Sequence, residues 1–284
     1  MTPVDPRAIL DQLYDADAEK CFDDPAGVPL FDRPAVAVAR ADDPWFRRFK
    51  ELIGEFHWTP QEALSMVAPQ ATARSVVCWC LPVAALARRD NRGETSMPAR
   101  QWAYVRTFGE HFVTRLRHGM ERRLREAGYA AVAPAVVPEN LLVQSPAVGL
   151  SSHWSERHAA FVAGLGTFGL SGGLITRRGI AHRLGSVVTD ADLAPTPRPY
   201  GDDPFAWCLR KDGSQCGVCI RRCPAGSIGP TAADRDKEAC RLHAYDHIRR
   251  LGLATFGWEG TYGCGLCQTG VPCEDRNPTE STDR

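Results

Sequence analysis

The sequence predicts an α/β layer domain over residues 46–198 followed by a small, cysteine-dense domain over residues 199–284, and three observations carry that reading. Short apolar runs alternate with amphipathic stretches between residues 45 and 195, the pattern of a sheet covered by helices. Eight of the 11 cysteines fall between Cys208 and Cys273. A Pro-rich stretch, ADLAPTPRPYGDDP at 191–204, separates the two parts. Hydrophobic residues at 44% and charged residues at 24% are ordinary for a chain that builds a core. Lys+Arg and Asp+Glu both number 34, and this balance argues against a general nucleic-acid or membrane surface. The start, MTPVDPRAILDQLYDADAEK, is acidic and lacks an apolar leader, and no run approaches the ~18 apolar residues of a membrane span. A cytoplasmic protein with no membrane partner is expected.

Residues 1–45, rich in Asp, Pro and Ala, read as an arm with one short helix over Pro6–Tyr14. In ATARSVVCWCLPVAAL (71–86), β-branched and apolar residues predict a buried strand at about 74–81. Cys78 and Cys80 share one face of that strand and read as small buried hydrophobes. Residues 106–127 place Phe112, Val113, Leu116, Met120 and Leu124 on one helical stripe, stopped by Gly128. The arginines at 115, 117, 122, 123 and 125, diluted by Glu110, Glu121 and Glu126, read as a solvated surface. YAAVAPAVV predicts another strand, WSERHAAFVA (154–163) a helix with Ser155 as N-cap, and HRLGSVVTD a strand at 183–189. Gly164-Leu-Gly166-Thr-Phe-Gly169 matches the dinucleotide fingerprint letter for letter. That fingerprint needs a strand before it and a helix after it, and here the order is reversed.

The cysteines form two groups. Cys216-x2-Cys219-x3-Cys223-Pro224 fits the last three places of the bacterial ferredoxin run C-x2-C-x2-C-x3-C-P, but Gly213 stands in the first place. The second group is Cys240, then Cys264-x2-Cys267-x5-Cys273. One structural zinc on Cys216, Cys219, Cys264 and Cys267 is an alternative, but it leaves four cysteines without a role. Two [4Fe-4S] clusters use all eight. In such pairs the cysteine before proline ligates the other motif's cluster. Cys223 then joins Cys240, Cys264 and Cys267, and Cys273 crosses back to Cys216 and Cys219. Cys208, reaching over the loop LRKDGSQ, is the displaced fourth ligand.

Several of these segments together resemble epoxyqueuosine reductase and its relatives, the corrinoid-dependent reductive dehalogenases. They are ARSVVCWCLP (73–82), SERHAAFVAGLGTFGLSGGLIT with HRLGSVVTD, CGVCIRRCPAGSI, the lone Cys240 and YGCGLCQ, within roughly residues 70–278. The resemblance implies a nitroreductase-like, cobalamin-binding-type α/β domain and a ferredoxin-like domain whose two [4Fe-4S] clusters feed a corrinoid. It also implies cofactor contacts around Gly166, Thr167 and Phe168 and around Arg183 and Ser186. Leu150, with Ser151 beside it, stands where the reductases carry their proton-donating acid, which points away from queuosine chemistry. The last motif ends C-x5-C-E, no helical-repeat extension follows Arg284, and no twin-arginine leader is present, so a compact relative is expected. No catalytic residue is singled out; His153, Glu156, His158 and His182 are the side chains near the glycine segment able to carry a proton.

The expected function is a reductase. A reduced ferredoxin- or flavodoxin-type donor would pass electrons through the clusters to a corrinoid that reduces a small-molecule or nucleoside-like substrate. The alternative is an electron-transfer protein without its own substrate, either a ferredoxin-type carrier or an activator of a corrinoid protein.

Overall fold

A computed structural model describes residues 4–23, 27–210 and 215–280. In chain order it contains α1 (Pro6–Ala16), β1 (Ala35–Arg40), α2 (Pro44–Ile53), α3 (Pro60–Ser65), β2 (Ser75–Pro82), α4 (Ala85–Arg92), α5 (Arg100–Glu126) and β3 (Ala131–Val132). There follow the hairpin β4 (Leu142–Ser145) and β5 (Gly149–Ser152), α6 (Glu156–Val162), the hairpin β6 (Gly166–Phe168) and β7 (Leu174–Thr176), and β8 (His182–Thr189).

The central sheet runs β1-β2-β8-β3, with every pairing antiparallel. Helices cover both faces, and β2 is buried at all its positions, so its sequence is a continuous apolar run and not an alternation. Val77, Trp79 and Leu81 face α1, α4 and α5, where Ile9, Leu10, Phe112, Leu116 and Met120 complete one core. Val76, Cys78 and Cys80 face α2, α3 and α6, against Phe46, Leu64, Trp154 and Phe161. Burying each such large apolar side chain stabilises the fold by about 1.5–3 kcal/mol. The five apolar residues expected on the α5 stripe are all buried.

Three expectations change. Residues 1–45 are more than an arm: β1 is an edge strand of the sheet, and Tyr14 of α1 packs edge-on against Phe112. The strand expected over 129–137 shortens to Ala131–Val132, because Pro134 opens a 3-10 turn. The Pro-rich linker is fixed to the edge of β1: Thr196 N–H donates to Val38 O at 2.9 Å, and Val38 N–H donates to Thr196 Oγ1 at 3.0 Å.

Beyond residue 205 helices are short: α7 (Val218–Arg221), α8 (Lys237–Arg241), a π-helical turn over Leu242–His247, and α9 (Ile248–Phe256). The apolar cluster here is small, with Ile248, Phe256 and Tyr262 packed on Ala103 of α5. Polar contacts do the docking. Ile180 and Ala181 N–H groups donate to the carbonyls of Cys273 and Glu274 at 2.8 and 3.1 Å. Gly179 precedes them with φ +85, and a Cβ there would lie 2.2 Å from Glu274 O. The Glu274 carboxylate, 3% exposed, takes two bonds from Arg92 Nε at 2.8 and 3.0 Å and one from Arg92 Nη2 at 2.6 Å. Gly270 N–H adds another at 2.7 Å. Glutamate in place of proline after the last cysteine thus serves as the clasp between the two parts. Among the described residues no helix is long and apolar enough to cross a membrane.

Candidate functional site

None of the eight C-terminal cysteines is in a disulfide, and the structure sorts them into two quartets. Cys208, Cys216, Cys219 and Cys273 line a small recess of about 30 Å³ together with Gly169, Leu170, Ile175, Ile180, Val271 and Pro272. Cys223, Cys240, Cys264 and Cys267 line a separate cavity of about 390 Å³. The chain crosses between quartets twice. Cys219 and Cys223 lie one helical turn apart, roughly 6 Å along the axis, and Cys267 and Cys273 are joined by the turn held by Glu274. Gly213, which occupies the first ferredoxin place, lies outside the described residues.

Thiol acidity follows the same grouping. Burial, followed by the neighbouring Cys208 and Cys216, pushes the Cys219 thiol up to about 11, and Cys273 is raised by burial and then by Cys219 and Cys208. Burial pushes Cys264 up to about 11, with Cys240 and Cys223 adding to it. Cys267 rises to about 12, mainly by burial; Arg235 opposes, and Cys264, Cys240 and Cys223 reinforce the rise. Thiols gathered in this way repel one another as thiolates, and metal binding would remove their protons and neutralise the charge. The single-zinc reading needs Cys216, Cys219, Cys264 and Cys267 on one ion, and the structure divides that set between two recesses. Among the described residues, no three His, Cys, Asp or Glu side chains gather closely enough to hold a single metal ion.

The larger cavity lies between the second quartet and the sheet domain. Its walls are charged, with Arg106, Glu110 and Arg117 from α5, Glu156 and Arg157 from α6, and Arg183 from β8. Arg117, read from the sequence as a solvated cation, is 6% exposed. It bridges Glu110 at 2.9 Å and Glu156 at 3.1 Å and donates to Leu184 O at 2.9 Å. Burial tends to raise the Glu110 carboxyl, but Arg183, Arg117 and Arg106 outweigh it and hold the group low. Glu156 goes the other way: burial raises it despite Arg117, and its Oε2 is buried without a hydrogen-bond partner. From the π-helical turn, Tyr245 reaches the cavity, and its hydroxyl accepts from Arg106 Nη2 at 3.3 Å. Burial would raise this phenol, but Arg106 and Arg183 reverse the shift. Sequence reasoning missed Tyr245 because it lies in the featureless spacer between Cys240 and Cys264.

Of the five residues expected at a cofactor, only Arg183 lines the cavity. Gly166, Thr167 and Phe168 form β6, which follows α6, so the glycine pattern turns a helix into a strand. A Cβ on Gly166 would lie 2.1 Å from Ile175 O, so this glycine allows close pairing within the hairpin. Thr167 Oγ1 accepts from Trp207 N–H, and Phe168 N–H donates to Pro204 O, fixing the chain just before Cys208. Ser186 is buried under Trp154, whose Nε1 donates to it at 2.9 Å. Among the proton-carrier candidates, Glu156 and His182 line the cavity, and His182 Nε2–H donates to Leu174 O, 2.7 Å away. His153 stacks on Trp58, and His158 packs edge-on against Phe49. Leu150 lies in β5, and its carbonyl accepts from Lys237 Nζ at 3.0 Å.

Solved structures with this architecture are epoxyqueuosine reductases and reductive dehalogenases. A catabolic reductive dehalogenase aligns with a TM-score of 0.53 and 16% identity, over 86% of this chain and 30% of its own. An epoxyqueuosine reductase from Bacillus subtilis aligns with a TM-score of 0.48 and 16% identity, over 97% of this chain and 68% of its own. Another epoxyqueuosine reductase, solved with an epoxyqueuosine-modified tRNA stem loop, aligns with a TM-score of 0.47 and 17% identity, over 95% of this chain and 66% of its own. The chain therefore spans less than a third of the dehalogenase and about two thirds of the reductases. At these identities the likeness is one of fold. No protein-family model and no curated protein sequence matches this chain.

Proposed function

We propose that this protein is a cytoplasmic iron–sulfur reductase. Cys208, Cys216, Cys219 and Cys273 would hold one [4Fe-4S] cluster, and Cys223, Cys240, Cys264 and Cys267 a second, in a ferredoxin-like C-terminal domain. The single observation that carries this reading is the division of eight thiols into two convergent sets of four, with the chain crossing between them. When bound, the clusters supply single low-potential electrons, received from a reduced ferredoxin- or flavodoxin-type donor.

The chain's own side chains prepare the acceptor site. Arg106 and Arg183 flank the Tyr245 hydroxyl and make its proton easier to release, so Tyr245 is the group placed to protonate a reduced acceptor. Burial raises the Glu156 carboxyl despite its contact with Arg117, which puts a weakened acid on the wall of the same cavity. The cavity of about 390 Å³ would be shared between the second cluster, on its four cysteines, and a small acceptor beside Arg106, Arg183 and Tyr245. The corrinoid implied by the sequence resemblance is not enclosed by these residues.

Anaerobic purification and reconstitution tests the reading. About eight irons per chain are expected, and tightly bound zinc without iron would contradict it. The reduced protein is then mixed with cobalamin or with a modified tRNA stem loop, and reoxidation is followed by absorbance. A probe that drains the electrons, more slowly in Tyr245→Phe at unchanged iron content, identifies the acceptor class. Reoxidation by a corrinoid protein alone would favour the carrier alternative.

A further inference from the structure

We infer that the two quartets are built to different reduction potentials, and that Arg235 and Ser227 hold the second one higher, which directs electrons toward the cavity. The inference rests on the two-cluster reading. It comes from the opposite surroundings of the two thiol sets.

Around the second quartet, polar donors reach the sulfurs. Arg235 Nη2 lies 3.6 Å from Cys240 Sγ. Ser227, 1% exposed, approaches Cys223 Sγ with its hydroxyl at 3.2 Å and with its N–H at 3.4 Å. Arg235 is fixed for this task, since its other terminal nitrogen donates to the Ser171 carbonyl. Neither Arg235 nor its neighbour Arg157 has a carboxylate within 4.0 Å among the described residues, although Glu110 and Glu156 stand in the same cavity. Cys240 is the sulfur beside Arg235 and also acts on Arg157. The first quartet is enclosed mainly by Leu170, Ile175, Ile180, Val271 and Pro272, with Arg210 at its margin. Among the described residues, no side-chain hydrogen bond reaches the sulfur of Cys208, Cys219 or Cys273.

Hydrogen bonds to the sulfurs, nearby positive charge and access to solvent all stabilise the more negative, reduced form of a cluster and so raise its potential. The first two are found at the second quartet, in Ser227 and Arg235. With both clusters bound, one electron would enter from a low-potential one-electron donor, oxidising it, pass through the cluster held by the first quartet, which would end as it began, and come to rest at the second. No bond breaks and no proton moves in that transfer. The electron then faces the cavity and Tyr245.

The test is a potentiometric titration of the reconstituted protein, monitored by electron paramagnetic resonance, on the wild type, Arg235→Ala, Arg235→Lys and Ser227→Ala. Iron content is measured first, and a wild type without iron would overturn the two-cluster reading itself. With iron present, two separate potentials are expected. Arg235→Ala should lower the upper one by about tenfold in its equilibrium constant, or ~59 mV for one electron, and leave the lower one in place. Arg235→Lys should restore much of the difference by returning the charge. If Arg235→Ala loses a cluster, Ser227→Ala becomes the deciding variant, with a smaller fall in the same upper potential. Unmoved potentials in both variants, or movement of the lower potential alone, would overturn the inference.

Discussion

The sheet domain and the cysteine-rich region are held together in different ways. β2 is buried along its whole length, and the cores on its two faces are built mainly from apolar side chains. After residue 205, the buried apolar set shrinks to a few residues around Ile248 and Tyr262, and much of the order comes from thiol sets and from the clasp on Glu274. The comparison teaches that one half folds by burial, whereas the other, on the proposed two-cluster reading, would fold by what its cysteines hold. Small regions without a sufficient core need such staples.

The sharpest way to break this comparison is to remove iron. Chelation should strip hydrogen-exchange protection from residues 215–280 and leave β2 and β8 protected; equal loss in both regions would mean a shared source of stability. The converse experiment is Leu116→Ala, which opens a cavity under the sheet. It should cost about 3 kcal/mol in a denaturant melt without changing iron content.

Acid should also act first on the sheet domain. His57, buried beside Phe49, is held down to about 4 from an ordinary 6.5, by burial first and Lys50 second. Its folded pKa is depressed, so the unfolded chain binds more protons between those values. Stability is complete above about 6.5 and falls as pH drops toward 4. His57→Phe should flatten that fall by about 2–3 kcal/mol at pH 4, read from melts across the range. The smallest effect is expected at the joint. Glu274→Gln should weaken the clasp by about 2 kcal/mol, read as faster proteolysis after residue 205 with the sheet domain intact.

What the sequence revealed follows the same division. β2 and α5 were legible because burial on two faces, or on one stripe, leaves a periodic trace. β1 was hidden because AVAVAR, set among prolines and aspartates, is short and made half of alanine. Ligand counting proposed the cysteine sets, Cys208 across its loop included, and the recesses those cysteines line are what the iron counts below test. The cavity was not legible. Arg117 and Arg183 are separated by long stretches of chain from the cysteines they meet, and an arginine facing a buried glutamate has the same letter as one facing water. The glycine segment misled in the other direction, since backbone closeness to Ile175 and closeness to a cofactor call for the same residue.

The central claim is that the eight thiols make two quartets with Cys208 in the first and Cys223 in the second. Iron counting on anaerobically reconstituted Cys208→Ser, beside Cys21→Ser as control, tests it most directly. About four irons in the first and about eight in the second are expected, with the surviving signal being the one that Arg235→Ala shifts. Full iron in Cys208→Ser would contradict the assignment.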